Sequence, residues 1–322
     1  MSLVMAASPE GRPRYIFPER FGRHRCLKGL TEMNAHRQQQ HIRPNRTGSV
    51  PAVILAGGIN RIPLDEDYCP ELKALIPFAG NVSIVYVLRA LRRSEGIGPV
   101  AVVGDRNRIR EVLGDAEDIE FLPPGATLLD SIATGLKHFH GAPKVLVTTA
   151  DLPLLTPEAV EEFLAACAEQ GGNPGTGLYW SMVPQGCFLG PFARCRKGYN
   201  RFRDISVCHG NLLLVTPSIL EEFAVNTPLE ALYRARKSSL RCALACGWRV
   251  GLGYLFGVLL FRRLSLEQMA RLLSGRFRFP LKPVLLYRPE AALDVDEPED
   301  YRLVREQLEV SESKTRSDEL NF

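Results

Sequence analysis

No stretch of this 322-residue chain is long and apolar enough to cross a bilayer, since the longest uncharged apolar run, Val250 to Phe261, falls far short of the roughly 20 residues that a spanning helix needs. A charged-then-apolar leader is also missing from its start, and the eight cysteines include no CxxC pair. In a chain of this length they read as free thiols in a reducing compartment, so a cytoplasmic protein is expected. A basic surplus is lacking from most of the chain. The formal charge is +4, but residues 1–48 hold nine Lys/Arg against three Asp/Glu, which leaves the remainder at −2. A near-neutral body argues against a dedicated nucleic-acid binder, and no nucleic-acid partner is expected. Extremes of composition are absent too: 45% hydrophobic, 24% charged and 8% aromatic residues exclude a wholly disordered, collagenous or coiled-coil chain.

What is present divides along the chain. Residues 1–48 hold PEGRPRY, FGRHR and AHRQQQHIRPNR, polar and basic without a sustained apolar period, and read as a disordered basic extension. From Pro51 short β-branched runs alternate with helical stretches: AVILA, SIVYVLRALRR, VAVVG, RNRIREVL, KVLVTTAD and TPEAVEEFLAACAEQ. The strands are continuous apolar runs, as expected of a mostly parallel sheet covered on both faces, so the fold class is α/β and doubly wound. Thr156, Pro157 and Glu158 mark the start of one helix, and SLEQ from Ser265 fits a capping box. The main domain spans 49–309. Within it, about 171–279 is less regular and is expected as an inserted, partly helical subdomain. A helix from about Pro298 to Leu308 and a polar tail over 310–322 close the chain.

Chemistry is concentrated at strand ends. AVILA runs into Gly57 and Gly58, where missing Cβ atoms let backbone N–H groups approach a ligand. The pair fits neither the dinucleotide GxGxxG nor a P-loop, for no GK[ST] follows. Arg61 and Lys73 follow closely, so two cations and several amides can converge on a polyphosphate. Asp151 ends the strand KVLVTTA at the carboxyl edge of the sheet, where open α/β proteins bind ligands. Asp294 and Asp296 share one face of a later strand because side chains alternate with period two. If the fold brings Asp151 and Asp296 together across 145 residues, they make a hard oxygen site suited to Mg²⁺ carrying nucleotide phosphates. Each feature also has a plain structural use, as a turn, a solvated charge or a helix-capping aspartate.

The ordered set VILAGG, LKALIPFAG, VSIVYVLRALRRS, ADLPLLTPE, GNLLLVTP and LDVDEPED resembles the MobA-like nucleotidyltransferase family from Pro51 to Leu308. The resemblance implies a Rossmann-like fold of the nucleotide-diphospho-sugar transferase (GT-A) type. It implies that Ala56, Gly57, Gly58 and Lys73 hold an NTP triphosphate, with Arg61 standing three residues after Gly58 where the family has four. It further implies Mg²⁺ on Asp151 and Asp296, less surely on Asp294. Gly125, Thr127 and Ser131 correspond to the segment that meets the base, and Gly210 and Asn211 to acceptor contacts. The reaction implied is transfer of an NMP from an NTP to a phosphorylated small-molecule acceptor, with pyrophosphate released. A catalytically weak nucleotide-binding regulator and a glycosyltransferase using a nucleotide sugar are the competing readings. Molybdopterin, a sugar 1-phosphate and a phosphorylated alcohol all remain open as acceptors.

Two further features lie in the irregular region. Residues 231–263 carry seven Lys/Arg and no acid around GLGYLFGVLLF, the pattern either of a helix lying on an anionic membrane surface or of a buried hairpin with snorkelling ends. Cys187, Cys195, Cys208, Cys242, Cys246 and His209 admit a zinc site, though helical spacing of the last two cysteines suits half-buried small hydrophobes.

Overall fold

The structure is a computed structural model that describes residues 49–60, 63, 71–114, 118–170, 177–221, 239–261 and 263–320. The extension 1–48 and Arg61 lie outside the described residues.

Strand β1 (Val50–Leu55) is followed by a short hairpin of β2 (Pro77–Phe78) and β3 (Asn81–Val82), then helix α1 (Ser83–Arg93). Next come β4 (Ile97–Val103), α2 (Arg106–Leu113), β5 (Ile119–Leu122), α3 (Leu128–His138), β6 (Val145–Thr149) and α4 (Pro157–Glu169). The chain continues through β7 (Leu178–Pro184), β8 (Asn200–Arg201), β9 (Ser206–Val215), α5 (Ser239–Ala245), α6 (Trp248–Tyr254), α7 (Leu266–Phe277) and β10 (Leu281–Leu285). Helix α8 (Pro298–Leu320) ends it.

The main sheet runs β10-β7-β9-β6-β1-β4-β5, with β8 paired to β9. Ladders β1–β4, β1–β6, β4–β5 and β10–β7 are parallel, and β9 runs antiparallel to both β6 and β7. Alternation along β1 sends Ala52 and Ile54 to one face, against Ile84, Val87 and Leu91 of α1 and Val160 and Phe163 of α4. Val53 and Leu55 go to the other, against Leu136 of α3 and the helices α5 to α7. Both faces being covered, Ala52, Val53 and Ile54 are fully buried, which explains their unbroken apolar run.

The expected helix starts are present. Thr156 Oγ1 accepts from Ala159 N at 3.2 Å, and Ser265 and Gln268 form the reciprocal capping box. The segment read as an insertion is woven into the sheet, for it supplies β7 and the reversed β9 as well as α5 to α7. Its irregular pattern is the signature of one antiparallel strand among parallel ones. The last helix also runs past Leu308 to Leu320, because the polar residues beyond it include good helix formers and no Gly or Pro.

After β5 the chain crosses β4 and β1 to add β6 on the far side of β1. Strand order therefore reverses between β1 and β6, and the crevice at their carboxyl ends is where such sheets take ligands. Gly57 follows β1 and Asp151 follows β6 at that crevice.

Candidate active site

The last peptides of β1 stay in register, with Ala56 N donating to Val103 O at 2.8 Å and Ala150 N to Leu55 O at 3.0 Å. Gly57 and Gly58 then leave the sheet into solvent. A Cβ on Gly57 would lie 3.8 Å from Pro124, and one on Gly58 3.5 Å from the Lys73 stem, both ordinary contacts. Packing does not demand these glycines, so their bareness is left for whatever lies against the loop. Lys73 N donates to Gly58 O and Asn60 N to Glu71 O, each at 2.9 Å, which lays the lysine alongside the glycine turn.

Lys73 Nζ donates to Asp151 Oδ2 at 2.9 Å and makes a short contact with Asp296 Oδ1. Burial alone would lower the lysine pKa, but Asp151 and Asp296 outweigh it and hold the ammonium well above its ordinary range. Val295 N donates to Asp151 O at 3.2 Å, tying the late acidic segment to the end of β6. Asp294 lies beside them, with Lys197 Nζ donating to its Oδ1 at 2.9 Å. Burial, and the neighbouring Asp151 and Asp296 charges, push the Asp294 carboxyl above the usual range despite Lys197. Asp296 is held below it: partial desolvation opposes its charge, and Lys73 prevails.

One carboxylate oxygen from each of Asp151, Asp294 and Asp296 lies within 4.8 Å of the other two, the one grouping of at least three metal-ligating side chains found among the described residues. Three acids share two ammonium groups, so one negative charge is left over. Asp151 Oδ1 is buried and accepts no hydrogen bond, a state that calls for an unseen partner. Hard oxygen donors with surplus negative charge fit a divalent cation of the Mg²⁺ or Ca²⁺ kind. The cysteines form no comparable cluster among the described residues.

Across from Gly57, the turn before α3 is built tightly. Gly125 N donates to Ser131 Oγ at 3.0 Å, and Thr127 caps the helix through a full capping box with Asp130. A Cβ on Gly125 would fall 2.3 Å from Asp130 Cβ, so no larger residue fits. The structure thus brings the Gly57 loop, the Gly125 turn, Lys73 and the acidic triad to one edge.

Residues 52–186 match the MobA-like NTP transferase domain. The match takes in the Gly57 loop, Lys73, the Gly125 turn and Asp151. A hypothetical transferase from Thermus thermophilus is similar over 78% of this chain and 99% of its own, at 29% identity and a TM-score of 0.63. A CMP:2-keto-3-deoxy-manno-octonic acid synthetase complexed with CTP shares the fold at 14% identity, with a TM-score of 0.53 over 82% of this chain and 99% of its own. Among curated proteins, a 3-deoxy-manno-octulosonate cytidylyltransferase of Anaeromyxobacter sp. (strain K) is 33% identical over 96 residues, 29% of this chain. The chain spans 40% of the length of that relative.

Beyond residue 186, where that match ends, the edge is completed by Lys197, Asp294, Asp296 and strand β9. Strand β9 pairs Leu213 with Val147 of β6 and, past a bulge, His209 with Met182 of β7. His209 stacks on Trp180 with centroids 4.5 Å apart, and its Nε2 meets Asn200 Nδ2 at 3.2 Å. Tyr254 Oη in turn donates to Asn200 Oδ1 at 2.5 Å. His209 is open to solvent on one side and enclosed by protein on the rest, and that desolvation lowers its pKa to about 4. Gly210 has a packing cause, because a Cβ there would lie 2.3 Å from Ser181 Oγ, whereas Asn211 shares the His209 face of the strand.

Sequence reasoning missed several of these residues. Lys197 sits in RKGYNRFRD among other cations, and nothing local separates it from them. Ser83 was also missed: fully buried, its Oγ donates to Ala150 O at 2.7 Å and steadies the strand end before Asp151. A hydroxyl at the first residue of an apolar helix was its only signal.

Proposed function

We propose that the chain is a cytoplasmic, Mg²⁺-dependent nucleotidyltransferase that moves an NMP from an NTP to a phosphorylated small molecule and releases pyrophosphate. The observation that carries this is the triad of Asp151, Asp294 and Asp296 with Lys73, set beside a glycine turn whose amides are uncovered. Six free cysteines among the described residues suit a reducing compartment.

Asp151 and Asp296, with Asp294 behind them, would hold the cation, which when bound neutralises phosphate charge and orients the triphosphate. The bare amides at Gly57 and Gly58 bind phosphate oxygens without a side chain in the way. Lys73, charged throughout the physiological range, stabilises the negative charge that builds on the departing pyrophosphate. The Gly125 to Ser131 turn positions the base, and Asn211 with its neighbour His209 meets the acceptor. No covalent enzyme intermediate is required, so positioning and charge neutralisation supply the rate. Arg61 remains a proposed phosphate contact, and Gly210 a proposed acceptor contact through its backbone.

The test is a thermal-shift panel with ATP, GTP, CTP and UTP, each with and without Mg²⁺, followed by pyrophosphate release with candidate acceptors. CTP is the first nucleotide to try, because the curated relatives are named cytidylyltransferases. A Mg²⁺-dependent shift with one NTP is expected, and Asp151→Asn should lower pyrophosphate release at least about 100-fold with the fold intact. Turnover unchanged in that variant would overturn the assignment. Binding of an NTP without pyrophosphate release would favour a regulator, and transfer from UDP- or GDP-sugars a glycosyltransferase.

A further inference from the structure

Helices α5 and α6 and the π-helical turn Leu255–Leu260 form a hairpin that is apolar on both sides. Its inner side, with Ala243, Cys246, Val250, Tyr254 and Val258, is buried on the sheet. Its outer side is exposed: Leu244, Trp248, Leu252, Phe256 and Leu260 are 41–67% exposed at four-residue spacing, Trp248 the most. Between Leu244 and Phe261 every exposed side chain among those described is apolar. Scattered surface hydrophobics are ordinary, whereas a continuous outward stripe marks a contact surface.

The stripe is held in shape. Gly247 turns the chain with φ +126°, and a Cβ on Gly251 would come 2.4 Å from Leu244 Cδ2, so only glycine lets α5 lie this close to α6. Phe256 and Phe261 stack at 6.3 Å, and the Arg263 guanidinium sits 5.6 Å from the Phe261 ring.

We propose that this hairpin docks on an anionic lipid surface, its Trp, Phe and Leu side chains entering the headgroup boundary. Charge chooses this occupant. From Ala231 to Arg263 the sequence has seven Lys/Arg and no Asp or Glu, and Arg241 and Arg263 are exposed at the two ends of the stripe. A second copy docking on the same face would set these cations against one another, whereas anionic headgroups complement them. An outward apolar stripe in a basic stretch of chain, with an aromatic at its most exposed point, is the pattern of an interfacial helix. The inner side of α6 meanwhile reaches the acceptor edge, through Tyr254 and Asn200.

The experiment is co-sedimentation of the full chain with vesicles of phosphatidylcholine alone or with about a third phosphatidylglycerol, at low and high salt. Pelleting is expected with the anionic vesicles at low salt, and much less with the neutral ones or at high salt. Because their side chains are exposed, Leu252→Asp with Leu260→Asp should leave the melting temperature unchanged and cut the bound fraction at least tenfold, and Arg263→Glu should lower it as well. A wild-type chain that stays in the supernatant with anionic vesicles overturns the proposal. So does concentration-dependent dimerisation in sedimentation velocity that Leu252→Asp with Leu260→Asp abolishes, which would give the face to a second copy.

Discussion

Lys73 Nζ reaches Asp151 Oδ2 at 2.9 Å across 78 residues of sequence. The ammonium therefore sits on the carboxylates proposed to hold a divalent cation, and acts as their counter-ion. Arrival of a metal-bound triphosphate would free Lys73 from Asp151 and Asp296 and offer it phosphate oxygens instead.

Removing that counter-ion exposes the competition. Lys73→Met should lose about 3 kcal/mol of stability in metal-free buffer, since it leaves partly buried carboxylates uncompensated. Adding Mg²⁺ should then raise the variant's melting temperature by more than the wild type's. Equal Mg²⁺ increments in a thermal-shift titration would show that lysine and cation do not share the carboxylates.

Two glycines at the crevice should separate stability from binding. Gly125→Ala drives a Cβ to 2.3 Å from Asp130 Cβ and 2.6 Å from its backbone carbon, which cannot yield, and should cost about 2 kcal/mol in urea unfolding. Gly57→Ala meets nothing nearer than 3.8 Å and should stay within about 0.5 kcal/mol of wild type. Its methyl group stands where the triphosphate is proposed to lie, so the NTP-induced thermal shift should shrink. The reverse pattern would move the nucleotide away from this turn.

His209 makes a pH prediction. Desolvation takes its pKa down from 6.5 to about 4, so between those values the unfolded chain binds more protons than the native one. Stability from this group is complete above about pH 6.5 and falls as the pH drops toward 4. His209→Gln should flatten the fall of melting temperature over that window. An unchanged slope, or an imidazole NMR titration centred near 6.5, would show that the ring is not shielded.

Much of this architecture is legible in the sequence because it rests on local rules. Continuous apolar strands, the Thr156 and Ser265 caps, and acids at strand ends each follow from one short segment, and the fold sets Gly57, Lys73, Asp151, Asp294 and Asp296 along one edge. What was illegible depends on pairing at long range. Lys197 differs from the arginines around it only because Asp294, 97 residues later, folds against it. The reversed direction of β9 is set by its neighbours β6 and β7, and its own apolar run NLLLV is the same whichever way it lies. Likewise no local pattern tells an outward apolar stripe from an inward one when both sides of a helix are apolar, as on α6.

Asp294 and Asp296 come late in the chain, and this orders events on the ribosome. Translation delivers β1, β4, β5, β6 and the glycine turn while more than a hundred residues are still to be added. A nascent chain at that stage holds one carboxylate of the three and no Lys197. The proposed phosphate turn is thus made before the acids proposed to fix a cation beside it. Completion of the triad is a late step of synthesis, and a product interrupted before Asp294 would lack two of its three carboxylates.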